Sequence, residues 1–365
     1  MTDAFGGYGG IAQYNRDLVS ALATSNRVSE VVLVPRFGSA NVNCLPAKVH
    51  QLDPRKMRSA YIASSIRAAK KFGPFDAIFS GHLYHTPLAV LLGRWMKIPV
   101  WLQTHGIEAW ECPNPLLRYA AEQCALITTV SRFTKCTVLT WAKVAPERVR
   151  VLPNTFRSMF TAGARDENYL KQLGLVDRKI ILTVSRLSKA DGYKGHSQLI
   201  RVLPKVTELH PDAIYMIVGE GDSRVELEQD VADRGMELAV RFMGRLSDDE
   251  VLQLYRAASV FAMPSTKEGF GIVFVEAAAT GLPVIGGNCD GSADALADGV
   301  VGAMINPDDD EALTGALHAA LSGAMRADAS AVHRLRFDNF ALHVDNLVQS
   351  LLDYAPGEER RSCYL

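Results

Sequence analysis

The feature that most limits the fold of this chain is a repeated alternation of short apolar runs with segments of helical periodicity. Apolar runs fall at residues 31–34, 77–79, 100–102 and 126–130, and again at 180–184, 214–218, 260–263 and 284–285. Continuous apolar runs between amphipathic segments are typical of parallel strands that are buried on both faces and joined by helices. The sequence therefore predicts an α/β protein with two doubly wound parallel sheets.

A glycine-rich loop near the N-terminus departs from that pattern. A doubly wound domain usually begins with a strand that feeds such a loop, but Gly6-Gly7-Tyr8-Gly9-Gly10 follows only five residues. We therefore expect a shortened or absent first strand, or a natural chain with about six further apolar residues at its start. The loop also lacks the G-x-G-x-x-G arrangement, which argues against a dinucleotide site.

Two carboxylates, Glu268 and Glu276, flank a segment that contains Gly269 and Gly271 and that runs into the apolar residues 272–279. The glycines allow a tight turn, and the apolar residues predict a buried helix whose first N–H groups favour an anion. We expect Glu268 to reach a group beyond bound phosphates and Glu276 to accept hydrogen bonds from a neutral diol such as a ribose. The alternative is one capping and one solvated carboxylate.

Residues 264–284 resemble the signature of an enzyme family. They read Pro-Ser-x-x-Glu-Gly-Phe-Gly-x-x-x-x-Glu-Ala-x-Ala-x-Gly-x-Pro-Val, which is similar to the E-x7-E motif of the retaining glycosyltransferases of family 4. Ser185-Arg186-Leu187 followed by Lys194-Gly195 resembles the Arg and Lys pair of that family. Residues 217–221 and 242–246 resemble two of its strand ends, and the N-terminal half resembles it more loosely.

The resemblance implies a fold and an activity. The fold is GT-B, in which two Rossmann-like domains face each other across a cleft. The activity is transfer of a hexosyl unit, with retention, from a nucleoside diphosphate sugar to a hydroxyl acceptor, in polysaccharide or glycolipid assembly. UDP or GDP is the expected nucleotide of this substrate, no separate cofactor is implied, and the acceptor is a glycan or a lipid-linked molecule.

The domain boundary is expected near residues 151–154. Pro153 and Asn154 resemble the interdomain Pro-Asn-Gly-Val-Asp of the family, although Thr155-Phe156-Arg157 replaces its last three residues. The N-terminal, acceptor-binding domain would span residues 1–153, and the donor domain would span 154–337. A helix at about 340–352 is implied to return to the first domain, to which residues 338–365 are assigned.

Arg186 and Lys194 follow a predicted strand and combine a planar hydrogen-bonding fork with a mobile point charge. Such cations would neutralise a leaving diphosphate without a metal ion, whereas the alternative is an ordinary solvated turn. No Asp-x-Asp stands beside a donor strand, and the three aspartates at 308–310 are expected in a surface loop. We therefore expect a transferase that needs no metal.

His105 follows the run at 100–102, at the carboxyl end of a strand, where open α/β sheets bind ligands. The resemblance implies that this histidine lies beside the transferred sugar, whereas the alternative is a structural histidine. Glu108 and Trp110 are expected to shape the acceptor pocket, although an aromatic residue at such a place is often part of the core.

The resemblance also implies the full set of site residues. The catalytic residues would be His105 and Glu268, with Glu268 on the sugar hydroxyls. The donor-binding residues would be Gly9, Gly10, Arg186, Lys194, Gly244, Arg245, Leu246, Gly269, Phe270, Gly271 and Glu276. The glycine loop would lie beside the diphosphate, and the backbone at 244–246 would meet the base; for the loop, a tight turn without a ligand is the alternative.

The charge is distributed unevenly along the chain. Residues 1–155 hold 18 Lys and Arg against 9 Asp and Glu, whereas the remainder holds 21 against 31. The segment at 54–71 adds a basic amphipathic pattern, with Met57, Tyr61, Ile62 and Ile66 expected on one side. Both features predict reversible contact with an anionic membrane surface. The alternatives are an ordinary surface helix and attraction between two oppositely charged domains. No nucleic-acid partner is expected.

The cysteines bear on the compartment. They lack metal-ligand or C-x-x-C spacing, which favours reduced thiols in a cytoplasm. They are Cys44, Cys112, Cys124, Cys136, Cys289 and Cys363. No basic-then-apolar leader and no run of eighteen apolar residues is found, so we expect a cytoplasmic protein, peripheral at the inner membrane face at most. No metal site is expected, although His82, His85 and His105 could form a trio.

Two other functions stay open. One is a sugar-nucleotide epimerase of related fold, against which Arg186, Lys194 and the E-x7-E context favour transfer. The other is a non-catalytic module that binds a nucleotide or a sugar and releases no nucleoside diphosphate with any acceptor.

Overall fold

The computed structural model describes residues 1–40, 42 and 44–353. The chain divides into two compact units, the first formed by Met1–Thr155 and the chain from Phe337 onward, the second by Phe156–Arg336. These divisions fall two residues after the first predicted boundary and one residue before the second.

In the first unit, helices alternate with short strands. The helices are α1 (Gly10–Thr24), α2 (Arg58–Phe72), α3 (Thr86–Met96), α4 (Pro115–Glu122) and α5 (Arg132–Trp141). The strands are β1 (Val31–Leu33), β2 (Val49–Gln51), β3 (Ile78–Ser80), β4 (Val100–Thr104), β5 (Leu126–Thr129) and β6 (Val149–Val151).

The second unit repeats the alternation with longer strands. Its helices are α6 (Glu167–Leu173), α7 (His196–Leu209), α8 (Arg224–Asp233), α9 (Asp248–Ala257), α10 (Ile272–Ala279), α11 (Ser292–Ala295) and α12 (Asp310–Leu321). Its strands are β7 (Lys179–Val184), β8 (Ala213–Val218), β9 (Val240–Gly244), β10 (Val260–Met263), β11 (Val284–Gly287) and β12 (Gly302–Ile305). The chain then enters α13 (Phe337–Leu352), which packs against α1 of the first unit.

The sheet of the second unit is parallel throughout, in the order β12-β11-β10-β7-β8-β9. All six residues of β8 are buried, as expected for a central strand covered by helices on both faces. Leu199 and Leu203 of α7 and Leu317 of α12 belong to the core that covers this sheet. The chain turns back between β7 and β10, so the carboxyl ends of these strands form the crevice in which doubly wound sheets bind ligands.

The first unit has a sheet in two parts, β1-β2 and β3-β4-β5-β6, both parallel. No strand precedes Gly6 in the part of the chain that the structure describes, as predicted from the early glycine loop. Instead the first residues run beside the segment that follows β1, where the N–H groups of Arg36 and Phe37 donate to carbonyls of Met1 and Thr2. The prediction of two Rossmann-like α/β units is confirmed.

Several details of the prediction were wrong. Strands β2, β6 and β12 have only three or four residues each, and they were missed. Helix α2 begins at Arg58 rather than near residue 54. Its buried face contains Tyr61 and Ala68, whereas Ile62 and Ile66, which were expected beside Tyr61, are exposed. The aspartates at 308–310 are not all in a loop, since α12 begins within them.

Candidate active site

Helix α10 begins at the predicted turn. Gly271 has a φ of 87°, and a Cβ at this position would overlap the ring of Phe274, so glycine is required. The helix then covers Ile272–Ala279, the segment that was predicted to be a buried helix. The turn between β10 and α10 holds Gly269 and the buried Phe270, and it carries Glu268 at its start.

Asp290 fixes this turn from the loop after β11. Its Oδ2 accepts hydrogen bonds from the Glu268 N–H at 2.6 Å and from the Ser265 hydroxyl at 2.9 Å, and its Oδ1 accepts one from Ser292 N–H at 2.9 Å. Gly291 N–H donates to the Glu268 carbonyl at 2.8 Å. Burial raises the pKa of Asp290, and the hydrogen bonds oppose that effect. Asp290 was missed from the sequence, although an Asp-Gly pair that begins three residues after the end of a buried strand was a usable signal.

Glu268 and Lys194 form an ion pair. The Lys194 Nζ donates to Oε2 of Glu268, and each side chain keeps about 15% of its surface exposed. The backbone joins the two segments as well, because Thr266 N–H donates to the Tyr193 carbonyl at 3.0 Å. The structure therefore brings together two site residues that are 74 positions apart.

Arg186 lies in the loop after β7, near the same pair. Its guanidinium contacts the Asp191 carboxylate at 2.9 Å and is largely exposed. The Tyr193 hydroxyl donates to the same carboxylate at 2.9 Å, and its pKa is raised by burial and by Asp191, with further effects of Glu268 and Arg186. Arg186, Lys194 and Glu268 thus surround one tyrosine. Asp191 and Tyr193 were not predicted.

A buried histidine supports the loop that carries Arg186. His196, the first residue of α7, contacts the Ser185 hydroxyl at 2.8 Å through Nε2 and the Tyr215 hydroxyl at 2.9 Å through Nδ1. Burial lowers the pKa of His196 to about 4, so the ring is neutral at pH 7. Its two ring nitrogens therefore link α7 to the end of β7 and to β8 through hydrogen bonds.

The loops after β7, β8 and β9 lie side by side. Gly219 N–H donates to the Gly244 carbonyl at 2.8 Å, and Leu187 N–H donates to the Glu220 carbonyl at 3.0 Å. A Cβ at Gly219 would overlap the Ser185 carbonyl, so this contact requires glycine. Arg245 is exposed and Leu246 is half-buried directly after β9. The predicted base-binding segment thus lies at the same sheet edge as Arg186.

Glu276 is buried on α10, and its carboxylate contacts other side chains of the protein. Its Oε1 accepts a hydrogen bond from the Arg157 guanidinium at 3.3 Å, and its Oε2 lies 3.5 Å from the Tyr255 hydroxyl. The same guanidinium forms an ion pair with Asp248. Glu276 was expected to be open to a diol such as a ribose, but in the structure Arg157 and Tyr255 contact its carboxylate.

The burial of Glu276 predicts a pH effect on stability. Burial raises its pKa from 4.5 to about 7, against the opposing effect of Arg157. A carboxyl with a higher pKa in the folded state favours folding below its unfolded pKa, and this contribution is lost as the pH rises through the folded pKa. Relative to Glu276→Gln, the free energy of unfolding should fall by about 3 kcal/mol between pH 4.5 and 7.5.

Urea unfolding of both proteins across this range checks the prediction. Other titrating groups are common to the two proteins, so their effects cancel in the difference. Parallel curves for wild type and Glu276→Gln would show that the carboxyl has an ordinary pKa.

His105 lies at the carboxyl end of β4 in the first unit. Its backbone N–H donates to Glu108 Oε1 at 2.6 Å, its Nε2 is 3.0 Å from the Gly81 carbonyl, and its ring meets that of Tyr14 edge-on at 5.1 Å. Burial lowers the pKa of His105 to about 4, so the ring is neutral at pH 7. Glu108 thus holds the backbone at His105, and its expected part in shaping the acceptor pocket stays a prediction.

The glycine loop leads into α1 next to His105. Gly9 has a φ of 91°, and nothing lies within 4 Å of a Cβ placed at Gly9 or Gly10. Tyr14, in the second turn of α1, contacts His105. The N-terminal part of α1 and His105 are thus brought together. Trp110 is half-buried, donates from Nε1 to the Thr134 hydroxyl at 3.1 Å and packs on the exposed Phe133, so its part in the acceptor pocket stays a prediction.

The rings of His82, His85 and His105 are neighbours, with centroids 6.1 and 6.3 Å apart around His82. His105 contacts the Gly81 carbonyl, and His82 accepts from the Tyr84 N–H. Among the described residues, no group of three or more His, Cys, Asp or Glu is placed to hold a metal ion. Whether activity needs a metal stays a prediction.

Two family models match the chain, one to each unit. Residues 8–156 match "Glycosyltransferase Family 4", and residues 165–334 match "Glycosyl transferases group 1". The second match contains Arg186, Lys194, Glu268 and Glu276, and the first contains His105.

Curated relatives agree with these models. Over 241 residues the chain is 30% identical to a GDP-mannose-dependent alpha-(1-6)-phosphatidylinositol monomannoside mannosyltransferase of Mycolicibacterium smegmatis, covering 63% of this chain and 62% of that protein. Over 220 residues it is 29% identical to a D-inositol 3-phosphate glycosyltransferase of Acidothermus cellulolyticus, covering 57% and 47%. The chain thus spans about half to three-fifths of the length of these relatives.

Solved structures share the fold. Anabaena HepE in complex with UDP-glucose superposes with a TM-score of 0.75 at 21% identity, covering 96% of this chain and all of that one. The lipopolysaccharide outer core galactosyltransferase WaaB superposes with a TM-score of 0.70 at 17% identity, covering 96% and 99%. Both proteins have the same architecture of parallel sheets with flanking helices.

Proposed function

Because this chain belongs to the family 4 glycosyltransferases, we propose that it transfers a hexosyl unit from a nucleoside diphosphate sugar to a hydroxyl acceptor, with retention and without a metal ion. The observation that carries the proposal is the cluster of Arg186, Lys194 and Glu268 at the carboxyl ends of β7 and β10. Two cations suit a diphosphate, and a carboxylate beside them suits the hydroxyls of the attached sugar.

The proposed reaction is a front-face displacement. The bond between the anomeric carbon and the diphosphate oxygen breaks while the acceptor oxygen bonds to the same face of that carbon. The acceptor proton passes to the departing diphosphate, whose developing charge Arg186 and Lys194 neutralise. Glu268 would hold the sugar hydroxyls, and neutral His105 would stabilise the reacting centre through its ring and backbone.

The remaining donor contacts are assigned on the same basis. Glu276 would accept hydrogen bonds from the ribose after the hydrogen bond between Arg157 and its Oε1 breaks. The backbone at 244–246 would meet the base, and Gly9 and Gly10 would lie beside the diphosphate. Gly269, Phe270 and Gly271 would supply the turn and the first N–H groups of α10.

Two nucleotides are candidates for the donor, UDP and GDP. HepE was solved with UDP and UDP-glucose, whereas the mycobacterial relative is GDP-mannose-dependent. A thermal-shift panel with UDP, GDP and ADP tests this, because a ligand that binds the folded state raises Tm by mass action. Release of the matching nucleoside diphosphate from its sugar, with an acceptor extract, then tests transfer.

The outcomes separate the competing functions. Transfer requires acceptor-dependent release of the diphosphate. A binding module would show the Tm shift without release, and an epimerase would change the sugar while the sugar nucleotide stays intact. Either result would overturn the proposal.

We further propose that the acceptor is presented at an anionic membrane surface. The mycobacterial relative acts on a phosphatidylinositol derivative by its name. In this chain the exposed side chains of Met57, Ile62 and Ile66 lie on or beside α2, which also carries exposed basic residues. These are Arg58, Arg67, Lys70 and Lys71. Among the described residues, no helix has the length and apolarity to cross a bilayer.

We expect the protein to co-sediment with vesicles in proportion to their anionic lipid content at low salt, and to be released by high salt. The triple variant Arg67→Glu, Lys70→Glu, Lys71→Glu should abolish binding, because each basic residue near such a surface contributes about 1 kcal/mol. A matched control reverses the exposed Lys171, Lys205 and Arg326 of the second unit. No binding of wild type, or equal loss in both variants, would favour an acceptor in solution.

A further inference from the structure

Two histidine rings lie next to each other at the carboxyl ends of β3 and β4. His82 comes two residues after β3, and His105 directly follows β4. Their ring centroids are 6.1 Å apart, and the rings are inclined by 37°. Because β3 and β4 are parallel neighbours, the two loops meet at the edge where such sheets bind ligands. His82 therefore lies beside the histidine that is assigned to the reacting centre.

Hydrogen bonds hold His82 in one position. Its carbonyl accepts from the Ser80 hydroxyl at 3.2 Å, from the Thr86 hydroxyl at 3.3 Å and from the His85 N–H at 3.0 Å. Its ring Nδ1 accepts from the Tyr84 N–H at 3.3 Å. Only 7% of the residue is exposed. The ring is therefore fixed at both its backbone and its Nδ1 edge.

The hydrogen bond to Nδ1 determines which ring nitrogen of His82 carries a proton. Burial lowers the pKa of His82 to about 4, against the opposing effect of Glu108, so the ring is neutral at pH 7. A neutral imidazole has one N–H, and because Nδ1 accepts, the proton is on Nε2. In the part of the chain that the structure describes, no group accepts a hydrogen bond from this Nε2. Since a largely buried donor needs an acceptor, that acceptor comes from outside the protein.

An unused carboxylate oxygen and an exposed aromatic ring lie beside this donor. Glu108 accepts from the His105 N–H through Oε1, and its Oε2 has no hydrogen bond among residues 1–40, 42 and 44–353. The ring of Tyr84 packs on that of His82, with centroids 4.9 Å apart and an inclination of 32°. Tyr84 is 61% exposed. A donor, an acceptor and an aromatic face are thus brought together next to His105.

These three groups match the chemistry of a neutral polyol ring. A hydroxyl both donates and accepts, so two neighbouring hydroxyls of a ring can bind His82 and Glu108 together. The C–H groups of the same ring form an apolar face that can pack on Tyr84. A phosphate would accept from His82 but would be repelled by the Glu108 carboxylate. An alkyl chain would leave both polar groups unpaired.

We propose that His82, Glu108 and Tyr84 form the subsite for the acceptor, and that this subsite takes a neutral polyol ring, either a sugar or a cyclitol. The proposal rests on the glycosyl transfer proposed above and adds the chemical class of the acceptor. His82 Nε2–H donates to one ring hydroxyl, Glu108 accepts from the next, and the ring lies on Tyr84. His82 holds the acceptor beside His105 and exchanges no proton with it.

Two substitutions separate the two nitrogens of His82. The Asn oxygen takes the place of Nδ1, so His82→Asn keeps the bond from the Tyr84 N–H but has no donor at the position of Nε2. The Gln amide reaches the position of Nε2, so His82→Gln keeps the donor and loses the bond to Tyr84. With saturating donor, His82→Asn should raise KM for the acceptor by about three- to tenfold at nearly constant kcat, as for one lost hydrogen bond. His82→Gln should restore most of this loss.

A binding assay tests the subsite without transfer. The ring probes are myo-inositol and methyl α-D-glucopyranoside, with sorbitol as an open-chain polyol and inorganic phosphate as an anion. In the isotope-labelled full chain, with and without UDP or GDP, the ring probes should slow proton exchange at His82 Nε2 and should bind more tightly than sorbitol or phosphate. Tyr84→Ala should remove the difference between the ring probes and sorbitol. Tyr119→Ala, which changes an exposed tyrosine that contacts Arg94, should not.

Three outcomes would overturn the proposal. They are equal binding of the ring probes to wild type and His82→Asn, tighter binding of phosphate than of either ring probe, and an unchanged KM for the acceptor in His82→Asn. A wild-type chain that binds the ring probes through His82 but transfers no sugar would contradict the proposed transfer and still support the polyol subsite. Failure of the subsite and failure of the transfer are thus distinguished.

Discussion

Lys194→Ala and Arg186→Ala are each expected to lower kcat by roughly a hundredfold or more on a verified donor, because each removes a cation that meets the charge developing on the diphosphate. The environments of the two cations differ. Lys194 is mostly buried against Glu268, whereas Arg186 is largely exposed beside Asp191. Removal of Lys194 also leaves a half-buried carboxylate without its partner, so it should have the larger effect.

Lys189→Ala is the matched control for this experiment. Lys189 lies in the same short helical segment as Lys194, but it is exposed and pairs with Glu226. Its replacement should leave kcat nearly unchanged. If it lowered kcat as much as Lys194→Ala, the effect would reflect general charge rather than a specific contact.

The same assays test whether activity needs a metal ion. Activity should persist in excess chelator, and neither magnesium nor manganese should rescue the Arg186 or Lys194 variants, because the cations act in place of a metal. Loss of wild-type activity in chelator, with recovery on adding a divalent ion, would contradict metal independence.

Glu276→Ala and Glu268→Ala should change different kinetic parameters. Glu276 is assigned to the unreactive ribose, so its loss should raise KM for the donor more than it lowers kcat. Glu268 is assigned to the reacting sugar, so its loss should lower kcat with a smaller change in KM. Initial rates over a range of donor concentrations, with saturating acceptor, measure both parameters.

Two further variants control for structure. Glu276→Ala leaves the Arg157 guanidinium without one of its partners, so Glu276→Gln, which keeps the shape, should show the same change in KM if the charge matters for binding. Glu226→Ala removes an exposed carboxylate and should change neither parameter. Wild-type kinetics in both Glu276→Ala and Glu268→Ala would refute the site assignment.

Much of the fold follows from the sequence because parallel strands buried on both faces need continuous apolar runs. Strands β7, β8 and β10 were found within a residue of their bounds for this reason. Strand β2 has only three residues, one of them exposed. Its position depends on pairing with β1, which no local pattern reports.

The sequence pointed to the residues that form the candidate site but not to their hydrogen-bonding partners. Gly269, Gly271 and the two carboxylates stand together in the sequence, so a local pattern reveals them. Asp290 and Arg157 contact these residues from loops that are distant in the sequence, and ordinary surface loops carry the same residue types. The error on α2 has a similar cause, because the buried face includes Ser64 and Ser65, which a hydropathy pattern assigns to solvent.

The hydrogen bonds of Asp290 have a consequence for how the donor is received. Ser265 and Glu268 are both hydrogen-bonded to this one carboxylate, so contacts within the protein hold the loop that carries Glu268, and substrate binding need not supply the free energy of ordering it. A defect at Asp290 would therefore imitate a catalytic one, because its hydrogen bonds hold the loop that carries Glu268. Asp290→Asn replaces one accepting oxygen with an NH2 group and loses hydrogen bonds to the loop, and the larger number of loop conformations would then lower the rate.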